Sequence, residues 1–386
     1  MTRTRVTVAA VVAAVLLGSV IAFAVSRASH PGPTAQGSSS SAGSTSRGGD
    51  GSASSPSEGG ASSSPSSSTS SSPKASPRAG QPTTSSSSGG HPTSAGIPTA
   101  APTPHPISTS SSLPLPIRAA FYYPWFPQTW GSPPNNAYTH YHPTLGYYSS
   151  ADQATVQKHV AAMQYGHLQA GIASWWGQGS DTDANIPLLL SVARGAGFKW
   201  ALYYEAEGNQ VPGVAGSPNP TVPQITSDLS YIKTRYAGDP GYLHVNGKPV
   251  VFVYGDPSDS CATADRWKQA NTLGFYVQLK VFSGYQGCAS QPDGWHQYGP
   301  DSASDSQSGY SFTISPGFWK AGEQTPRLAR DPATFSRNAQ TMVASGAPWQ
   351  LVTTFNEWGE GTAVESASEW ASASGYGTYL DTLHNY

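Results

Sequence analysis

Eight short apolar runs recur through the C-terminal part of this chain, and most are separated by stretches with helical spacing. They cover residues 118–125, 170–177, 198–205, 249–255, 275–282, 295–298, 310–315 and 350–356. Their lengths and their β-branched or aromatic content fit strands buried on both faces. Between many of them, apolar residues return every third or fourth position. Val156, Val160 and Met163 follow a capping-type Ser150-Ala151-Asp152, and 186–196, 225–236, 261–273 and 332–345 repeat the pattern. Strands alternating with helices argue for a parallel sheet. Eight strands over this length predict an α/β fold, a (β/α)8 TIM barrel spanning 117–386.

The remainder of the chain cannot supply such elements. Residues 29–116 are nearly all Ser, Thr, Pro, Gly and Ala. Too little apolar surface is available there to offset chain entropy, so a disordered Ser/Thr/Pro/Gly-rich linker, or stalk, is expected. Residues 1–28 hold Arg3 and Arg5 before an apolar run from Val6 to Val25, with Ala22-Phe23-Ala24 as a small-x-small site. Either a cleaved signal peptide or an uncleaved signal anchor fits, and both place the barrel outside the cytoplasm, secreted or anchored. Contact with a membrane is expected only through this segment. In an exported chain the two cysteines, Cys261 and Cys288, read as a disulfide. The net charge is -2 and no basic stripe is visible, which argues against a nucleic-acid partner. A monomer is expected.

In barrels of this kind the active site lies at the C-terminal ends of the strands. Conspicuous side chains gather at those ends: Tyr123 and Trp125, Trp175 and Trp176, Glu205 and Glu207, Tyr254, Tyr298, and then Glu357 and Glu360. Glu357 and Glu360 stand three residues apart in Thr354-Phe355-Asn356-Glu357-Trp358-Gly359-Glu360-Gly361, in a chain with only 11% charged residues. Two carboxylates around one glycosidic bond are the usual equipment of a sugar hydrolase, one protonating the leaving oxygen and the other acting as base or nucleophile. Aromatic faces would stack on the apolar faces of sugars. His140 and His142 lie in a loop after the first run, where His142 is expected to contact substrate or brace the loop; no metal is expected. No Gly-x-Ser-x-Gly elbow stands out for an esterase, and no glycine-rich turn has phosphate-loop spacing.

A set of motifs follows in order: Phe121-Tyr122-Tyr123-Pro124-Trp125, His142-Pro143, Gly146-Tyr147-Tyr148-Ser149-Ser150-Ala151-Asp152, Ala170-Gly171-Ile172, Ser174-Trp175-Trp176-Gly177, Tyr204-Glu205, residues 247–254, and Asn356-Glu357-Trp358 followed by Glu360-Gly361. Together they resemble glycoside hydrolase family 99 and its 99-like group, which contains endo-acting α-mannosidases and α-mannanases. The resemblance implies a (β/α)8 barrel that cleaves internal α-linkages of a poly- or oligosaccharide with retention, using no metal or other cofactor. It implies Glu357 as the base for the substrate's own 2-hydroxyl, giving an anhydro-sugar intermediate, and Glu360 as the acid and then the base for water. Tyr123, Trp125, His142, Trp176, Glu205, Tyr254, Tyr298, Asn356, Trp358 and Glu365 are the expected substrate-binding residues.

The chain departs from the family where Ser366 replaces the usual Pro after Glu365, and, more consequentially, where the endo-mannosidases carry His between the Trp and the second Glu and here Gly359 stands. The expectation is that Gly359 opens space beside the cleft and changes which sugar is accepted; a need for positive φ at this position is the competing reading. Two further readings stay open, a non-catalytic carbohydrate-binding barrel and a part in building cell-surface polysaccharide.

Overall fold

The computed structural model describes residues 112–131, 138–207, 219–256 and 258–386. The expected signal segment and residues 29–111 of the expected stalk lie outside the described residues. Among those described, no helix is long and apolar enough to cross a membrane. The described chain begins on the barrel itself: Leu113 N–H donates to His244 O at 3.0 Å, and Gly247 N–H donates to Ser112 Oγ at 2.8 Å.

The strands are β1 Ile117–Tyr122, β2 Ala170–Trp175, β3 Lys199–Tyr204, β4 His244–Val245, β5 Lys248–Val253, β6 Tyr276–Lys280, β7 Gly294–His296, β8 Ser304–Gln307, β9 Ser311–Ile314 and β10 Trp349–Val352. The helices are α1 Gln153–Tyr165, α2 Asp181–Ala196, α3 Val222–Arg235, α4 Cys261–Ala270, α5 Pro332–Ala344 and α6 Thr378–His384. All eight expected strands are present. They pair in parallel in the order β7-β6-β5-β3-β2-β1-β10-β9, which is chain order wrapped into a ring. β8 adds a ninth, antiparallel strand beside β9, and β4 makes a two-residue antiparallel pair with β5.

Side chains alternate along every strand, as a period of two requires. One set fills the inside of the barrel: Ile117, Ala119 and Phe121 from β1, Ala170 and Ile172 from β2, Ala201 and Tyr203 from β3, Val250 and Phe252 from β5, Trp349 and Leu351 from β10. The other set, including Tyr122, Trp175, Trp200, Val251 and Val352, packs outward with the helices. Both faces of each strand are therefore apolar, which is why the runs read as continuous.

The ring is nearly, not fully, closed. Between β7 and β9 the backbone ladder is missing, and side chains take its place. Thr313 Oγ1 donates to Gln297 O at 2.6 Å and Ser315 Oγ to Pro300 O at 3.0 Å, while from the end of β10 Thr353 Oγ1 reaches Tyr298 O at 2.6 Å. Two connections also lack the helix of an ideal barrel. From β6 to β7 the chain makes only a 3₁₀ turn, Tyr285–Gly287, and from β7 to β9 it forms β8. The helix-poor β6–β7 segment is fixed by other means. Cys288 is disulfide-bonded to Cys261 at the start of α4, as expected, with Cα atoms 5.2 Å apart. Phe282 and Tyr285 pack on the outward ring of Trp295, with centroids at 5.5 and 4.7 Å.

Helix ends follow local chemistry. Asp152 caps α1 by accepting from Ala154 N and Thr155 N. α2 begins at Asp181, capped by Ser180, five residues before the expected start at 186, and so it carries Pro187 inside. Proline has no N–H for the carbonyl four residues back. That carbonyl, Asp183 O, instead accepts from Tyr236 OH at 3.4 Å.

Candidate active site

The inward alternation of the strands continues past their C-terminal ends and delivers a rim. Phe121 leads to Tyr123, Ile172 through Ser174 to Trp176, Tyr203 to Glu205, Phe252 to Tyr254, and His296 to Tyr298. Glu205, Tyr254 and Glu360 lie close enough for their charges to act on one another. Tyr123 stacks against Trp125 with ring centroids 4.6 Å apart, and its hydroxyl donates to Tyr298 OH at 3.0 Å. Trp176 is half-buried, with its indole N–H donating to Ser174 Oγ.

The segment after β10 brings the two glutamates to this rim by folding back on itself. Thr354 N donates to Thr362 O, Val364 N to Thr354 O, and the Thr354 and Thr362 hydroxyls meet at 3.0 Å. Glu357 N–H donates to Thr354 Oγ1 at 2.8 Å. A second segment, 318–321, runs alongside: Trp319 N donates to Glu360 O and Ala321 N to Gly359 O, both at 2.8 Å. Gly361 has φ of +64° and a Cβ there would sit 2.6 Å from Trp319 O, so only glycine allows this approach. The guanidinium of Arg330 ties the turn further, donating to Gly361 O and Ala363 O while stacking 3.9 Å from the Trp370 ring.

The two carboxyls then sit in different surroundings. Glu357 is 4% exposed. Its Oε1 accepts from Tyr138 OH at 3.0 Å and from Glu360 N–H at 3.2 Å, whereas Oε2 is buried without a partner among the described residues. Burial first, and the charge of Glu360 second, hold the Glu357 carboxyl well above the usual carboxylate range, against the pull of Tyr138, the Glu360 amide and Lys320. Glu360 is more open, with 21% of its side chain exposed; Oε2 accepts from Tyr298 OH at 2.8 Å and Oε1 lies 3.8 Å from Lys320 Nζ. A buried carboxyl beside a more solvated one is the arrangement that separates acid from base in glycosidases.

Other expected site residues stand elsewhere. Asn356 is fully buried and pinned to β1: its Oδ1 accepts from Tyr123 N at 2.7 Å, and its Nδ2 donates to Tyr123 O at 3.1 Å. It aligns the acid-bearing segment with β1 and does not line the cleft. Trp358 is also fully buried, stacked on Trp370, with its N–H shared by Tyr148 OH and Glu365 Oε2. Glu365 is 3% exposed and faces inward, accepting from Tyr148 OH at 2.7 Å, with His159 Nε2 3.2 Å from its other oxygen. His142 is a surface residue, its side chain 72% exposed and its Nδ1 2.6 Å from Glu369. Glu207 binds Arg266 and Trp267 of α4 on the barrel's outside.

Tyr138, Lys280 and Lys320 were not anticipated. Lys280 ends β6 on the inward face, and its Nζ lies 5.6 Å from the Tyr254 ring centroid. The period of two could have found it. Tyr138 and Lys320 come from irregular segments where no period operates. Gly359 needs correction as well. Its φ is not positive, and the space beside it is filled: a Cβ there would lie 2.5 Å from Tyr138 Cζ. The ring of Tyr138 packs on the glycine, so no opening for a larger sugar results.

Glu205 yields a testable consequence. Burial pushes its carboxyl up to about 8, the Glu360 charge adding to this and a Ser174 hydrogen bond opposing it. The folded state thus holds the proton more tightly than the unfolded chain. Its contribution to stability is complete below about 4.5 and is lost as pH rises through about 8, at roughly 1.4 kcal/mol per unit. Urea denaturation at pH 5 and pH 8.5 should show the wild type losing a few kcal/mol more than Glu205→Gln. Parallel losses in the two proteins would mean that the carboxyl ionises freely.

Two adjacent carboxyls in the aromatic-lined rim of a barrel are an arrangement that glycoside hydrolases use. The resemblance to family 99 is borne out within that class: the family model for glycosyl hydrolase family 99 matches residues 112–278, from the first described residue into β6. The acid pair lies beyond the matched segment. The fold is similar to that of the GH99 endo-alpha-mannosidase from Bacteroides thetaiotaomicron, at 19% identity and a TM-score of 0.54, covering 69% of this chain and 95% of that one. A structure of the GH99 endo-alpha-mannosidase in complex with bis-tris propane matches equally in coverage and TM-score, at 18% identity.

Proposed function

We propose that this chain is an exported, endo-acting and retaining glycosidase that cleaves α-linked, mannose-containing poly- or oligosaccharides, with Glu357 and Glu360 as the catalytic pair. The observation that carries this reading is the free oxygen of Glu357. Its partner oxygen is held by two donors, and Oε2 is buried with none among the described residues. A buried acceptor without a donor is costly, and a substrate hydroxyl would satisfy it.

In this reading Glu357 takes the proton of the sugar's 2-hydroxyl as that oxygen attacks the anomeric carbon, and the C–O bond to the leaving sugar breaks. Glu360 gives its proton to the leaving oxygen. Water then opens the anhydro-sugar, losing its proton to Glu360, while the 2-oxygen recovers its proton from Glu357. Retention follows from two displacements at the same carbon. Tyr298, which donates to Glu360 Oε2 at 2.8 Å, and Lys320, 3.8 Å from Oε1, hold the Glu360 carboxyl in place for both steps.

One observation favours the opposite allocation. Burial and the Glu360 charge favour a proton on Glu357 in the empty site, which suits an acid. The pH profile separates the two: as base, Glu357 sets the acidic limb, and as acid, the alkaline limb. The function itself is tested by incubating the full chain with α-mannans and α-glucans and sizing the products. Oligosaccharides of retained anomeric configuration, released early from internal linkages of mannan, are expected. Glycan binding without any cleavage would instead support a carbohydrate-binding barrel.

A further inference from the structure

We infer that Tyr138 is the positioning residue that fixes how Glu357 presents its carboxylate, its hydroxyl holding Oε1 so that Oε2 alone is turned to the substrate. The inference rests on reading Glu357 as a member of the catalytic pair. Tyr138 lies 219 residues away in sequence, in the connection from β1 to α1, and donates to Glu357 Oε1 at 3.0 Å. Its ring is held edge-on by Trp130 and Phe126, with centroids 6.2 and 6.3 Å away. The third wall is Gly359, where any side chain would occupy the ring's own volume. The absence of a Cβ between the two glutamates is therefore the condition for the phenol to reach Glu357.

The contact is that of a permanent donor. Burial, with the Glu357 charge next, keeps the phenol proton in place far above its usual range. The ionisable groups facing Glu357 are Glu360 on its own segment, Lys320 after β9, Tyr123 after β1, Tyr298 after β7, and Tyr138. Glu360 opposes ionisation of Glu357, while Lys320, the Glu360 amide and the Tyr138 hydroxyl favour it. Of these, Tyr138 is the one whose polar atom can be deleted without disturbing packing, because phenylalanine keeps the ring against Gly359.

The test is the pH dependence of kcat and KM for Tyr138→Phe, read beside its melting temperature. With Glu357 as base, loss of the hydroxyl should move the acidic limb of kcat up by about one unit, a tenfold change in the proton equilibrium. Turnover should fall about tenfold on the acidic side and recover at alkaline pH, with KM and melting temperature little changed. Gly359→Ala, which displaces the ring and leaves both glutamates, should show the same displaced limb. A Tyr138→Phe profile that overlays the wild type, or falls equally at every pH, overturns the inference. If Glu357→Gln loses activity while the Tyr138→Phe profile is unshifted, this inference fails alone; if Glu357→Gln keeps its turnover, the catalytic pair fails with it.

Discussion

Glu357→Gln and Glu360→Gln should each lower turnover by about 10²–10⁴-fold, the usual cost of losing a positioned acid or base. The two variants are expected to differ in stability. Glu357 is buried and its native proton affinity is raised, so a neutral amide removes an ionisation that destabilises the fold as pH rises. Glu357→Gln should therefore melt at or above the wild-type temperature at neutral pH while being inactive. Glu360 is more solvated, so Glu360→Gln should leave the melting temperature nearly unchanged. Turnover on a cleavable glycan and thermal melts of both proteins check this. Either variant with near-wild-type turnover would remove that residue from the catalytic pair.

The largest stability effect is expected at Gly171, in the middle of β2. Its paired residue on β3 is Trp200, whose ring folds across the glycine on the outward face; a Cβ at 171 would lie 2.1 Å from Trp200 Cζ3. Strand propensity alone says that Gly171→Val should stabilise. Volume says the reverse, because the indole is fully buried and has nowhere to move. Overpacking should win, costing about 3 kcal/mol. Gly195 is the matched control. It lies in α2 with nothing within 4 Å of an added Cβ, so Gly195→Ala should gain about 0.5–1 kcal/mol. Equal urea midpoints for Gly171→Val and the wild type would show that Trp200 can be rehoused.

The barrel was legible because its strands are buried on both faces, and such strands announce themselves as continuous apolar runs. β8 escaped for the same reason in reverse: Ser304-Asp305-Ser306-Gln307 is polar and partly exposed, and its pairing with β9 needs no apolar face. β4 is too short for any period. The helix before β7 is missing because 283–293 holds three glycine or proline residues and a cysteine, and the disulfide does the fixing that a packed helix would do.

The rim was legible where a strand runs into it. Tyr123, Glu205, Tyr254 and Tyr298 inherit their direction from the alternation beneath them. After β10 no period survives, and nearness to Glu357 in sequence was a poor guide. Asn356 and Trp358 flank it, yet the fold-back of 354–364 turns both into the interior. Glu365 follows them to His159 and Tyr148. Tyr138 carried no signal at all, since its ring reaches Glu357 through the space that the missing side chain of Gly359 leaves.

The unladdered join between β7 and β9 gives the barrel a clasp. A ring closed by backbone hydrogen bonds has a bore set by strand number and stagger, and no single substitution can alter it. Here two hydroxyls, of Thr313 and Ser315, span the gap, and Thr353 at the end of β10 fastens to the carbonyl of Tyr298, whose own hydroxyl holds Glu360. The width of the mouth is thus written in side chains on one side of the ring, next to Glu360, where it can be let out or taken in one residue at a time.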